Sequence, residues 1–251
     1  MKSNVECEMR NEELNSRQQF QIPNSKFLIE VLASGSKANC YALCDGTATI
    51  LLECGLPYHK TLERLNWKLP DAILITHEHG DHASCARNFL ERGVEMYMTA
   101  GTADALKLKR HNLHIIKPDE KFTICGHKIL PIPVKHDAAE PVNFTIDDEI
   151  LFVTDAGEVP NVSGNFRQVF IEANYETLTL LAADISTAQK ERVRENHLSI
   201  RQAVNFLKTL TEPDEIRLIH LSKRHGDGEE FIREVKAATG FKNVFAAEVS
   251  K

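Results

Sequence analysis

The sequence predicts a layered α/β protein. Three observations carry that expectation: short apolar runs bounded by polar residues that suit strands, segments of helical spacing interleaved with them on both flanks, and a β-rich middle over residues 113–153. No linker divides the 251 residues, and that length suits one large domain with a sizeable core. A composition of 42% hydrophobic and 26% charged residues excludes a disordered or collagen-like chain.

Residues 1–24 are polar and irregular up to Pro23. They are expected to form a flexible or loosely docked extension, leaving 25–251 as the folded domain. From Lys26, KFLIEVLAS predicts a strand, GSKAN a turn, and CYALCDG and ATILLECG the next strands of a meander. Leu62, Leu65 and Trp67 give LPYHKTLERLNW helical spacing, and DAILITH suits a buried parallel strand. DHASCARNFLERG predicts one helix ending at Gly93, VEMYMTA a strand, and TADALKLKRH a helix with residues 107–111 as its solvated end. HIIK, EKFTICGHKILPIPV, VNFTID and EILFVTDAG supply the strands of the middle. QVFIEANY is a strand, residues 176–194 are expected to be mostly helical, and an S-x-x-Q capping box from Ser199 to Gln202 opens the helix IRQAVNFLKTL. EIRLIHLS, FIREVKAATG and NVFAAEV close the chain as strand, glycine-stopped helix and strand. No sequence repeat of fixed short period is visible.

Lys plus Arg total 30 against 36 Asp plus Glu, a net charge of -6. This disfavours a protein that coats nucleic acid by bulk charge, while leaving room for a local basic groove. The first residues lack the apolar stretch of a secretory signal and no run long enough to span a bilayer occurs, so a cytoplasmic protein without a membrane segment is expected. The six cysteines form no CxxC pair and are expected to be reduced, mostly buried thiols.

The chemistry concentrates in His77-Glu78-His79-Gly80-Asp81-His82, where a strand gives way to a helix. His77 and His79 share one side of an extended stretch, because side chains alternate with period two. Asp81 and His82 start the helix and turn toward a second position, so one short segment can serve two adjacent ions. Imidazole with carboxylate suits Zn, Mn or Fe rather than Ca or Mg.

With H-x-H-x-D-H unbroken at His77, His79, Asp81 and His82, the chain resembles the metallo-β-lactamase superfamily. The resemblance implies a four-layer αβ/βα sandwich with a two-metal site at one edge of its sheets. It also implies the ligand set: His77, His79 and His136 on the first metal, Asp81, His82 and His220 on the second, and Asp155 bridging them. His136, Asp155 and His220 each end a predicted strand. Where the superfamily often carries Asp-x-Gly this chain has Glu53-Cys54-Gly55, and Glu53 would orient a ligand imidazole. Residues 27–250 are further similar to the YycJ (WalJ)-type branch. The S-G-S-x-x-N turn at Ser34 to Asn39, the H-D-A-x-x-P stretch at His136 to Pro141, and Thr154-Asp155-Ala156-Gly157 carry that similarity. So do Glu172-Ala173-Asn174, with Ala173 in place of Ser, and two H-L-S elements at His197 and His220. After the second of these the branch carries paired Asn; this chain has Lys223-Arg224-His225.

Members of that branch are metal-dependent phosphodiesterases that include 5′-to-3′ DNA exonucleases. The implied function is therefore a phosphodiesterase acting on nucleic acid, with two divalent ions per subunit (Zn or Mn, with Fe as a further option). Its nucleophile would be a hydroxide bridging them, with Asp81 accepting a hydrogen bond from it. His197 precedes a capped helix start, where phosphates bind, and is the candidate phosphate donor or general acid. Ser222, Lys223, Arg224 and His225 follow a ligand directly and, with Asn174, are candidate substrate contacts. Glu172 and Asn174 fit the metal edge and fit capping groups equally well. His59, His111, His114 and His127 match no motif and are expected to be surface or structural. The partner is then DNA, RNA or a nucleotide, and a homodimer is compatible with the branch. Two alternatives remain open. A cyclic- or small-nucleotide phosphodiesterase agrees with the acidic charge and the 7% aromatic content. An ester, thioester or lactam hydrolase would use the same metals. A groove for a long strand would have to use Lys190, Arg192, Arg194, Lys223 and Arg224.

Overall fold

The structure is a computed structural model that describes residues 20–21 and 27–247. Among the described residues, fourteen strands fall into two sheets of seven. The first sheet runs in chain order through β1 (Phe20–Gln21), β2 (Leu28–Ala33), β3 (Cys40–Cys44), β4 (Thr49–Leu52), β5 (Ala72–Leu74), β6 (Glu95–Thr99) and β7 (Leu113–Ile116). The second contains β8 (Phe122–Ile124), β9 (His127–Pro133), β10 (Val142–Ile146), β11 (Ile150–Val153), β12 (Gln168–Glu172), β13 (Glu215–Ile219) and β14 (Val244–Ala246). β1 is the only described part of residues 1–24; the rest of the expected extension lies outside the described residues.

Both sheets follow one plan. Their first four strands pair antiparallel and their last four parallel, with the fourth strand common to both sets. β5, β11, β12 and β13 are buried throughout, as parallel strands covered on both faces must be. The inner faces share one core, in which Tyr41, Leu52 and Leu74 of the first sheet meet Phe144, Phe152 and Phe170 of the second. The Tyr41 ring meets Phe152 edge-on at 5.1 Å between centroids.

Helices cover the outer faces. On the first sheet lie α1 (Tyr58–Arg64), α2 (Gly80–Ala83), α3 (Ala86–Leu90) and α4 (Ala100–Ala105), with Phe89 and Ala103 packed on Ile73 and Met96. α5 (Thr177–Ala182) and α6 (Thr187–Asn196) precede α7 (Ile200–Leu207) and α8 (Gly228–Thr239). Val204, Phe206, Phe231 and Val235 of the last two pack on Val169 and Leu218. The layers are thus helix, sheet, sheet, helix, the αβ/βα sandwich expected. No helix among the described residues is long and apolar enough to cross a membrane.

Two expected helices are broken. The helix ending at Gly93 divides between α2 and α3. The carbonyls of Asp81 and His82 are taken at 2.7 Å by the N–H groups of Asn39 and Cys54, while the Cys85 N–H bonds the Cys54 carbonyl at 3.1 Å. The ladder cannot pass those residues. The helical stretch over 176–194 divides where Ala183 turns extended and Ser186 with Gln189 forms a second capping box. The helix expected to reach residue 111 stops at Ala105, and Lys107 takes a left-handed conformation (φ 53°).

At the ends of the sheets away from the metal-binding motif, His127 joins the two layers. Its Nε2 meets Asp45 Oδ2 in the β3–β4 turn at 2.9 Å, and its Nδ1 meets Asp147 Oδ2 after β10 at 2.8 Å. Burial opposes protonation of this imidazole, but the Asp147 and Asp45 carboxylates outweigh it and raise its pKa. Burial alone would raise the Asp45 carboxyl, which the Ala48 and Thr47 N–H groups and His127 pull down to about 2. The His127 contribution to stability is therefore full below about pH 6.5 and fades as pH rises through its raised value. The Asp45 contribution is full above about pH 4 and fades as pH falls toward its lowered value. His127→Ala is expected to cost about 2 kcal/mol or more near pH 6. Denaturant titration should show the gap from wild type narrowing at alkaline pH; an equal gap at both pH values contradicts the charged pairing.

Candidate metal centre

The parallel strands end at one edge of the sandwich, and their last residues carry the polar groups: Glu53 after β4, His77 after β5, Asp155 after β11, Glu172 closing β12 and His220 after β13. The loop of His77 to His82 is fixed by the same hydrogen bonds that interrupt its helix. Gly55 is required for this packing, because a Cβ there would lie 1.7 Å from the Asp81 carbonyl oxygen. The second half repeats the arrangement: a Cβ on Gly157 would lie 1.7 Å from the Glu195 oxygen. Glu53 and Asp155, each two residues before one of these glycines, both adopt positive φ (67° and 42°).

Three overlapping groups of side chains converge. His77, His79, His136 and Asp155 offer one ligand atom each within 4.8 Å of one another, and so do Asp81, His82, Asp155 and His220, and Asp155, Glu172, His197 and His220. Asp155 belongs to all three. Its Oδ2 lies 3.6 Å from His77 Nε2, 3.5 Å from His136 Nε2 and 3.3 Å from His82 Nε2, and its Oδ1 lies 3.0 Å from His220 Nδ1.

These residues fit a divalent cation. His77 Nε2 is buried without a hydrogen-bond partner, while its Nδ1 is engaged by the Thr76 hydroxyl at 2.8 Å. His136 Nδ1 donates to the Asn196 carbonyl at 3.0 Å, and His79 Nε2 to the Asp137 carbonyl at 3.2 Å. The nitrogens left over, His136 Nε2 and His79 Nδ1, lie 3.2 Å apart within the first group. Burial holds the pKa of His77 and His136 down, favouring neutral imidazoles with lone pairs toward the cluster. For His82 and His220 burial opposes protonation too, but Asp155 and the neighbouring carboxylates win and push His220 up to about 10. Asp155 is held well below the carboxylate range: burial works against this, and His220 and His82 outweigh it. A cation bound here would take the place of those protons, so its uptake releases them.

The supporting groups are equally specific. Asn39, from the S-G-S-x-x-N turn, donates from Nδ2 to Asp81 Oδ2 at 3.3 Å, and Ser34 Oγ accepts the His220 N–H at 2.9 Å. Glu53 Oε1 lies 3.7 Å from His82 Nδ1, beyond hydrogen-bond reach, and faces the Thr76 N–H at 3.3 Å. Glu172 is the residue that motif matching undervalued. Its Oε1 meets His197 Nδ1 at 2.7 Å and His220 Nδ1 at 2.9 Å, and its Oε2 accepts the N–H groups of Ala156 and Leu198, each at 3.1 Å. Burial would raise this carboxyl, but His197 and His220 hold it ionised. Glu172→Gln is expected to lower metal affinity about 10–100-fold. Competition against a chromophoric chelator measures this, and unchanged affinity would contradict the role.

An open cleft of about 280 Å³ lies over these groups. Of the candidate substrate contacts, His197, Asn174, Ser222 and His225 line it, along with Ser36 of the S-G-S-x-x-N turn and Arg192 of the basic residues that a strand groove would use. Asn174 Nδ2 also donates to the His220 carbonyl at 2.9 Å, so it props the strand end. Arg224 lines the adjoining cleft. Lys223 is exposed and lines neither. Burial opposes protonation of His197, but Glu172 outweighs it and raises its pKa.

A family model described as "Beta-lactamase superfamily domain" matches residues 48–221. The chain is 30% identical over 226 residues to exodeoxyribonuclease WalJ of Streptococcus pneumoniae, covering 79% of this chain and 83% of that protein. It is 27% identical over 188 residues to exodeoxyribonuclease YycJ of Bacillus anthracis, covering 65% and 69%. Among solved structures, the metallo-beta-lactamase fold protein YhfI from Bacillus subtilis matches with a TM-score of 0.68 at 17% identity, over 89% of this chain and 97% of that one.

Proposed function

Because the chain belongs to the β-lactamase superfamily, we propose that it is a cytoplasmic metal-dependent phosphodiesterase that degrades nucleic acid as an exonuclease. His77, His79 and His136 would hold one divalent ion, Asp81, His82 and His220 a second, with Asp155 shared and zinc or manganese as the metal. The observation that carries this reading is the placing of the Asp155 carboxylate within both of these ligand groups, on the floor of a cleft walled by His197. Two relatives named exodeoxyribonuclease support nucleic acid as the substrate.

Divalent ions, when bound, supply Lewis acidity and ionise water near neutral pH. The chain's own groups do the rest. Asp81, 23% exposed in its side chain, stands at the cleft and accepts a hydrogen bond from the attacking oxygen. Glu172 holds Nδ1 of His197, so Nε2 is the nitrogen presented to the phosphodiester. From there it donates its proton to the leaving oxygen.

Bis-p-nitrophenyl phosphate, single-stranded DNA, RNA, a cyclic nucleotide and a thioester, each with Mn or Zn and with chelator, test this. Metal-dependent turnover of the aryl diester and of DNA from its ends is expected. Turnover of the thioester without any phosphodiester would overturn the reading.

A further inference from the structure

The cleft over the metal ligands continues into a second one of about 250 Å³, and Arg192, Val193, His197 and His225 line both. The second cleft adds Arg224, Ile185 and Gln189 to its lining. One guanidinium thus stands at the junction and another beyond it, along a path that starts at Asp155. We propose that this second cleft binds the phosphate next to the one being cleaved, so that the substrate is a polynucleotide end with consecutive phosphates rather than a lone nucleotide diester. The proposal rests on that phosphodiesterase reading and adds to it the residues that hold the neighbouring phosphate.

Three observations support it. Arg192 Nε pairs with Asp137 Oδ2 at 2.8 Å, but the two side chains are 70% and 37% exposed. Such a pair is worth little in water, so a phosphate, which a guanidinium grips through two parallel hydrogen bonds, can replace the carboxylate at small cost. Asp137 also ties this arginine to the reacting end, since its Oδ1 lies 3.4 Å from His136 Nε2. Second, Arg224 is exposed and has no carboxylate partner among the described residues, so its charge is available to the cleft. Third, the other basic residues nearby are turned elsewhere. Lys190 donates to the Leu181 carbonyl at 2.6 Å, and Lys223 and Arg194 line neither cleft. Ile185 and Val193 give the same cleft an apolar lining for a sugar or base.

The test compares kcat/KM on a dinucleotide, a trinucleotide and a pentanucleotide, in thymidylate and uridylate series, for wild type and Arg192→Gln/Arg224→Gln. The wild type is expected to gain about tenfold or more on adding the second phosphodiester, and the variant to lose that gain. The series that shows the step identifies the sugar. Anisotropy of a fluorescein-labelled oligonucleotide of that series, with chelator-treated protein across a salt range, gives a readout free of turnover. The slope of log affinity against log salt should fall by about 0.7 for each phosphate that the variant no longer neutralises. An equal rate on dinucleotide and trinucleotide, or an unchanged salt slope in the variant, overturns the second cleft. Failure of the wild type to hydrolyse bis-p-nitrophenyl phosphate would instead overturn the phosphodiesterase reading, leaving the salt slope to decide whether the two arginines bind phosphate.

Discussion

Asp155→Asn is expected to empty both metal positions and to lower phosphodiester hydrolysis by more than about 100-fold. The substitution keeps the volume and removes one charge. Asp155 is 3% exposed, and its oxygens lie within 3.6 Å of four candidate ligand imidazoles. An amide there points a donor at nitrogens that must present lone pairs. Losing a group that merely orients a ligand costs about 10–100-fold in affinity or activity, and a ligand common to both ions should cost more. The metal-free protein should also be less stable, because His82 and His220 lose the buried anion that keeps them charged. Metal analysis and bis-p-nitrophenyl phosphate assays on the folded variant check this; retention of metal and rate would remove Asp155 from the centre.

His197→Ala is expected to cost about 10²–10⁴ in kcat on DNA while leaving metal content intact. His197 falls in a possible ligand group with Asp155, Glu172 and His220 but in neither group that contains His77 or His82; it faces the cleft, and its Nδ1 is taken by Glu172. If it protonates the leaving oxygen, the loss depends on the leaving group. A nucleotide oxygen needs the proton, whereas p-nitrophenolate departs readily without one. The penalty on bis-p-nitrophenyl phosphate should therefore be distinctly smaller. Equal penalties on both substrates would make His197 a phosphate anchor, and loss of metal would make it a ligand.

The parts of the fold and site that local chemistry dictates were legible in the sequence. Buried parallel strands announce themselves as short apolar runs, so β5, β11 and β13 fell where DAILITH, EILFVT and EIRLI stand. Four metal-binding side chains within His77 to His82 share one loop and need no tertiary knowledge. His136, Asp155 and His220 were different. They come from separate strands, and only their order, read through a family resemblance, brought them together. Glu172 was ambiguous because a single acid at a strand end looks like a cap. Its role depends on His197 and His220 converging on it from 25 and 48 residues away. The break after Ala83 was hidden too, since it follows from Asn39 and Cys54 taking carbonyls that a helix would use. The capping box at Ser186 and Gln189 was readable, being the same S-x-x-Q pattern as Ser199 and Gln202. Lys223 shows the limit of adjacency: three residues past His220, the chain has already turned it to solvent. The plan common to the two sheets leaves no sequence repeat, because inward strand positions accept many apolar residues of suitable size.

Metal stoichiometry tests the shared carboxylate most directly. Inductively coupled plasma mass spectrometry of the purified full chain, after loading with zinc or manganese and desalting, should give close to two ions per chain for the wild type and fewer than one for Asp155→Asn. A wild type that holds one ion or none, or an Asp155→Asn protein that keeps two, would contradict a centre built around that carboxylate.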